Sequence, residues 1–109
     1  MAQPTEILKG TLGLLILRTL ELEPRHGVAI ADRIEQITKG TFTVKAGSLF
    51  PGLHRLEQEG FIAGEWSVTG AGRRIKLYRL TAAGRQQLAA EKKQWARIVS
   101  AVGLVLESD

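Results

Sequence analysis

Apolar side chains along this chain keep helical spacing to about residue 60, alternate from 61 to 80, and return to helical spacing beyond 81. Residues 5–20 (TEILKGTLGLLILRTL) place Leu8, Leu12, Leu15, Ile16 and Leu20 on a 3.6-residue period, which predicts a mostly buried helix. Pro4 suits its start, and Glu6 in the first turn and Arg18 near the end complement the helix dipole. ELEPRHG (21–27) stops it, because Pro24 cannot continue a helix and Gly27 loosens the chain. A second helix over 27–38 carries Ile30, Ile34 and Ile37 on one side and ends at Lys39-Gly40. The β-branched TFTVKA (41–46) predicts a short extended connector.

The stretch GSLFPGLHRLEQEG (47–60) predicts a third helix over about 47–59, with Gly60 as its stop. Pro51 requires that helix to begin close by. Leu49, Leu53 and Leu56 share its inward face, while Ser48, Pro51, His54, Arg55 and Gln58 point away from it. FIAGEWSV (61–68) and RIKLYRL (74–80) alternate about the glycine-rich TGAGR and predict a hairpin, with Tyr78 and Leu80 facing inward. Thr81 is an N-cap for one long helix reaching about Leu106. The expected fold is mainly α with a small β-hairpin: a winged helix-turn-helix over residues 1–80, then a C-terminal dimerisation helix over 81–109.

Charge sharpens this picture. Residues 39–79 hold seven basic side chains (Lys39, Lys45, Arg55, Arg73, Arg74, Lys76, Arg79) against Glu57, Glu59 and Glu65, so the net charge of +4 is concentrated mid-chain. That local excess suits a polyanion. A helix fits the major groove, where arginine pairs with guanine and glutamine with adenine. Ser48, Pro51, His54, Arg55 and Gln58 are therefore candidate DNA-reading positions, with Lys45 ahead of them for a phosphate. Two structural alternatives stand beside them: Arg55 paired with Glu59 at i+4, and Gln58 as a plain surface residue. Arg73, Arg74 and Lys76 around a glycine tip predict a wing that contacts the backbone or minor groove.

The last helix repeats Leu88, Trp95 and Val102 at seven, with Ile98, Val99, Val105 and Leu106 widening the stripe. That is a coiled-coil-like seam and predicts a homodimer on a pseudo-palindromic operator, with part of the stripe packing back onto the helix at 5–20 as the alternative. Absence of cysteine excludes disulfides and thiol chemistry. His26 and His54 lack companions for metal or acid–base work, so no cofactor, no metal site and no enzyme activity are expected; His26 reads as a local helix cap. No apolar run reaches the roughly 20 residues of a membrane span, and no signal peptide is evident, so a cytoplasmic location is expected.

LKGTLGLLIL (8–17), HGVAIADRI (26–34), GSLFPGLHRLEQEGFI (47–62), EW (65–66) and RRIKLYRLTAAG (73–84), in that order and spacing, resemble the PadR family of bacterial transcriptional regulators, particularly its short members with a single C-terminal helix. The resemblance implies a dimeric repressor. Some members of that family sense aromatic small molecules between subunits near the last helix, which makes Trp95 a candidate stacking residue, beside the alternative of an ordinary dimer-packing tryptophan. Val28, Phe50 and Leu77 stand where the family often has tyrosine, which removes three hydroxyls from any phosphate contact. A different reading keeps the fold but makes it a protein–protein module whose basic hairpin takes an acidic partner.

Overall fold

Helix α1 (Thr11–Leu20) begins six residues later than its periodicity predicts. Gly10 stands at its N-cap with φ 87°, a left-handed conformation that interrupts a helix and that glycine adopts without strain. Ahead of it, Thr5 N–H donates to the Thr41 carbonyl at 2.6 Å, tying residues 5–7 to the connector rather than to a helix. Glu6 therefore lies outside the first turn, whereas Arg18 does sit in the last. The structure, a computed structural model, describes residues 5–7 and 10–109; Pro4 and Leu8, which the helix prediction used, lie outside them.

The remaining elements are β1 (Arg25–His26), α2 (Gly27–Ile37), α3 (Ala46–Gln58), β2 (Ile62–Val68), β3 (Arg74–Leu80) and α4 (Ala82–Leu106). The hairpin, α2, α3 and α4 stand within a residue or two of their predicted bounds. Strand β1 was not expected. It pairs antiparallel with β3, Arg25 opposite Tyr78 and His26 opposite Leu77, giving the sheet order β1-β3-β2. Residues 41–45 form no strand; instead Phe42 and Val44 pack onto the core. Pro51 lies inside α3, in the second turn after Ala46.

His26 caps α2, its Nδ1 accepting the Ala29 N–H at 3.4 Å. The core gathers Ile16, Leu17 and Leu20 of α1, Ile30 and Ile34 of α2, the α3 leucines, and Ile62, Tyr78 and Leu80 of the sheet. This is a winged helix: three helices around one core, with a two-stranded wing projecting beyond it.

The core continues into α4. Thr81 caps that helix, its Oγ1 accepting the Gly84 N–H at 3.0 Å and donating to the Gly60 carbonyl at 2.7 Å. Leu88, which its spacing had placed in the dimer seam, is only 1% exposed and belongs to the core of its own protomer. The cause is geometric: the first two turns of α4 cross α1, and the helix leaves the domain only beyond them. From Lys92 onward almost every side chain is exposed. At 1.5 Å per residue the 25-residue helix is about 37 Å long, more than half of the molecule's 61 Å long axis.

Candidate nucleic-acid interface

Helix α3 is held by three inward leucines, and Gly52 faces α1. A Cβ there would sit 3.5 Å from Ile16 Cδ1 and 3.6 Å from Leu12 Cδ2, so α3 lies close upon α1. Its other side is bare. Lys45, Ser48, Pro51, His54, Arg55 and Gln58 are all exposed. They form two stripes. Ser48, Pro51 and Arg55 border an open groove of about 830 Å³, whose far wall includes Thr5, Glu6, Thr43 and Lys45. His54 and Gln58 follow the neighbouring stripe, one turn apart. The alternative pairing of Arg55 with Glu59 does not form, and Arg55 joins no ion pair among the described residues.

The wing divides its cations between two tasks. Its tip closes by Thr69 N–H to the Arg73 carbonyl (2.9 Å), Gly72 N–H to the Thr69 carbonyl (2.9 Å) and Arg73 N–H to Thr69 Oγ1 (3.1 Å). Gly72, at φ 81°, supplies the left-handed residue this turn needs. Arg73 and Arg74 are exposed beside it. Lys76, expected with them at the DNA, is engaged elsewhere: its Nζ donates to Glu57 Oε1 of α3 at 2.8 Å. That hydrogen bond raises the Lys76 pKa above the ordinary lysine value, so the ammonium stays charged. Gly64 makes the crossing possible, because a Cβ there would overlap Lys76 Cε and come within 3.1 Å of Glu57 Oε2. Beneath it, burial pushes the Tyr78 phenol up.

Three exposed side chains in this region escaped the sequence reading. Phe50 and Val28 are half-exposed apolar residues where α3 meets the start of α2; Phe50 Cε1 is 3.2 Å from where a Gly27 Cβ would be. Trp66 lies open on β2 beneath Arg74. Periodicity can mark a residue as inward or outward but does not reveal which outward residues touch across strands.

On α4 the exposed apolar stripe begins at Trp95 (38% exposed) and runs through Ile98, Val99, Val102 and Val105 to Leu106 (78%). Leu104 is also exposed, on the opposite side of the helix. Trp95 and Ile98 join Leu14, Thr11, Glu91 and Gln94 around a shallow cleft of about 290 Å³ between α4 and α1. Burial, and then the charge of Glu59, raises the Glu91 pKa above the ordinary carboxylate value.

The family model of the transcriptional regulator PadR-like family matches residues 16–90. The chain belongs to that family. The matched region spans α1 from Ile16 to the first turns of α4, so it contains both the α3 face and the wing and stops short of Trp95. PadR-like proteins are transcriptional regulators and not enzymes. Similarity extends further along the chain in individual cases. An uncharacterised protein of Lysinibacillus sphaericus is 29% identical over 103 residues, 94% of both chains. A PadR family transcriptional regulator of Eggerthella lenta is 33% identical at a TM-score of 0.82, over 93% of this chain and 86% of that one. Bacillus subtilis PadR, solved in complex with operator DNA, aligns at a TM-score of 0.69 and 26% identity over 77% of this chain and 46% of its own. Among the described residues no helix is long and apolar enough to cross a membrane.

Proposed function

We propose that the protein is a sequence-specific repressor that binds a pseudo-palindromic operator as a homodimer in the cytoplasm. One observation carries this reading: α3 buries Leu49, Leu53 and Leu56 while leaving every polar and basic side chain of its other side free, beside a wing whose tip presents Arg73 and Arg74. Among the described residues no internal partner explains that face. The solved PadR–operator complex of B. subtilis supports DNA as the outside partner. In this reading Ser48, Pro51, His54, Arg55 and Gln58 face the major groove, Lys45 meets a phosphate and the wing follows the backbone.

Fluorescence anisotropy on duplexes from the adjoining promoter tests the proposal, and a flat response to all of them at low salt would sink it. The two halves of the interface should separate. Arg73→Ala with Arg74→Ala should weaken every duplex alike and lower the slope of log K against log salt by up to about 3.6, near 0.9 for each of the four phosphate contacts that the two wings of a dimer would lose. Arg55→Ala should instead change the preferred sequence, by about 1–3 kcal/mol at one base pair. An Arg55→Ala protein with unaltered preference would remove that residue from the reading face.

The cleft at Trp95 supports a further part of this function, release by a planar aromatic effector. One protomer supplies an indole, two aliphatic side chains and the Glu91 carboxyl, and a second α4 across the seam would close the space. In a Trp66→Phe background, where Trp95 is the remaining tryptophan, planar aromatics should quench its emission and lower duplex affinity together. Quenching no greater than inner-filter loss would retire the effector.

A further inference from the structure

Trp66 is 60% exposed on β2, and nothing in the core requires an indole there. Its cross-strand partner is Lys76, and the next pair towards the tip on the same face is Val68 opposite Arg74. Side chains of directly paired residues share one face of a sheet, so Trp66, Lys76, Val68 and Arg74 all stand on the face that further back buries Ile62, Tyr78 and Leu80. The Arg74 guanidinium carbon lies 4.5 Å from the centre of the Trp66 ring, and Lys76 Nζ lies 5.7 Å from it. Lys76 in turn reaches Glu57 on α3 through the gap at Gly64. A continuous chain of contacts, Glu57–Lys76–Trp66–Arg74, thus runs from the C-terminal half of the groove-facing helix to the wing tip.

We infer that Trp66 is a positioning residue for DNA binding: its ring holds the Arg74 guanidinium at a fixed height above α3, ready for a phosphate, while Lys76 anchors the ring and makes no DNA contact itself. An unsupported arginine on a glycine-rich hairpin would sample many rotamers and lose that freedom on binding. A guanidinium stacked on an indole has already lost part of it, and stacking leaves the edge N–H groups of the planar fork free to donate to phosphate oxygens. Arg73, with no ring beneath it among the described residues, lacks this support.

The inference rests on the DNA-binding reading, and its test separates the two. Phosphate contacts are insensitive to sequence, so a random 30-base-pair duplex serves as probe without an operator. The full chain and its Trp66→Ala, Trp66→Phe, Arg74→Ala and double Trp66→Ala/Arg74→Ala variants are compared by anisotropy, with thermal melts to confirm folding. Trp66→Ala should weaken binding roughly two- to five-fold for each wing that contacts the duplex, the size of one exposed cation–π contact, and Trp66→Phe should recover most of that. In the Arg74→Ala background the same truncation should change nothing, because the indole acts only through Arg74. Lys76→Met should leave the salt slope unaltered.

Additive losses from Trp66→Ala and Arg74→Ala would overturn the inference, since the indole would then touch DNA on its own account. So would an unaffected Trp66→Ala protein, or a Lys76→Met slope shallower by about 0.9 per protomer, about 1.8 for a dimer. If Trp66→Ala fails to fold, Trp66→Leu, which keeps apolar bulk without a ring face, takes its place and must show the same dependence on Arg74. No binding by the unaltered chain overturns both readings; binding with an indifferent Trp66 overturns this one alone.

Discussion

Val102→Glu should convert the proposed dimer to monomers and reduce affinity for a duplex with two half-sites by about 10²–10⁴, the advantage that a second linked binding event confers. Val102 lies in the middle of the exposed stripe formed by Trp95, Ile98, Val99, Val105 and Leu106. Near a two-fold axis each introduced carboxylate would approach its own copy, and burying unpaired charge costs several kcal/mol. Leu104 is an internal control. It is as exposed as its neighbours but projects from the other side of α4, so Leu104→Glu should leave both assembly and binding intact. Sedimentation equilibrium and anisotropy on the same samples read the two effects. A Val102→Glu protein that stays dimeric, or a monomer that binds as tightly as the parent, would refute the proposed seam.

Most of the fold is set by short-range signals. Leu49, Leu53 and Leu56 could only be an inward helical stripe, Thr81 could cap only a helix on its C-terminal side, and the alternation about TGAGR could only be a hairpin. Errors arose where local pattern and tertiary geometry disagree. The spacing from residue 5 onward suits a helix, yet Gly10 adopts a left-handed φ and Thr5 pairs with Thr41. Strand β1 is two residues long, too short for any period to register, and exists because β3 offers it an edge. Leu88 obeys the heptad but lies where α4 still crosses α1, so the domain core claims it before any partner can.

The candidate site was legible to the same depth. Outward residues of α3 could be named because burial of one helical face dictates exposure of the other. Lys76 could not be separated from Arg73 and Arg74, because the residue it pairs with is Glu57, nineteen positions earlier. Gly64 gave no signal either; its meaning lies in the space it leaves for that ion pair. Such long-range pairs make the wing part of the helix's own geometry rather than a loose appendage, and they tie the position of Arg74 to that of α3.

Gly84→Ala should destabilise the fold by about 3 kcal/mol or more, the upper end of the usual overpacking cost, lowering Tm by at least roughly 10 °C. Two opposing effects decide the sign. Alanine is the better helix former by up to about 1 kcal/mol, and Gly84 stands in the first turn of α4. Against that, a Cβ at this position would collide with the Phe61 carbonyl and lie 2.7 Å from Leu80 Cδ1. The Phe61 carbonyl cannot step aside, because it accepts the Thr81 N–H at 3.1 Å, and Thr81 is itself bonded to the Gly60 carbonyl and to the Gly84 N–H. Relief would require moving the start of α4 away from β2, which would drag Leu88 from the core and redirect the dimer helix. Gly47→Ala is the matching control: that glycine is also in the first turn of a helix, nothing lies within 4 Å of an added Cβ, and the change should be neutral or stabilising by up to about 1 kcal/mol. Thermal melts without DNA read both. A Gly84→Ala protein as stable as the parent would mean that α4 is not seated on the Phe61 carbonyl.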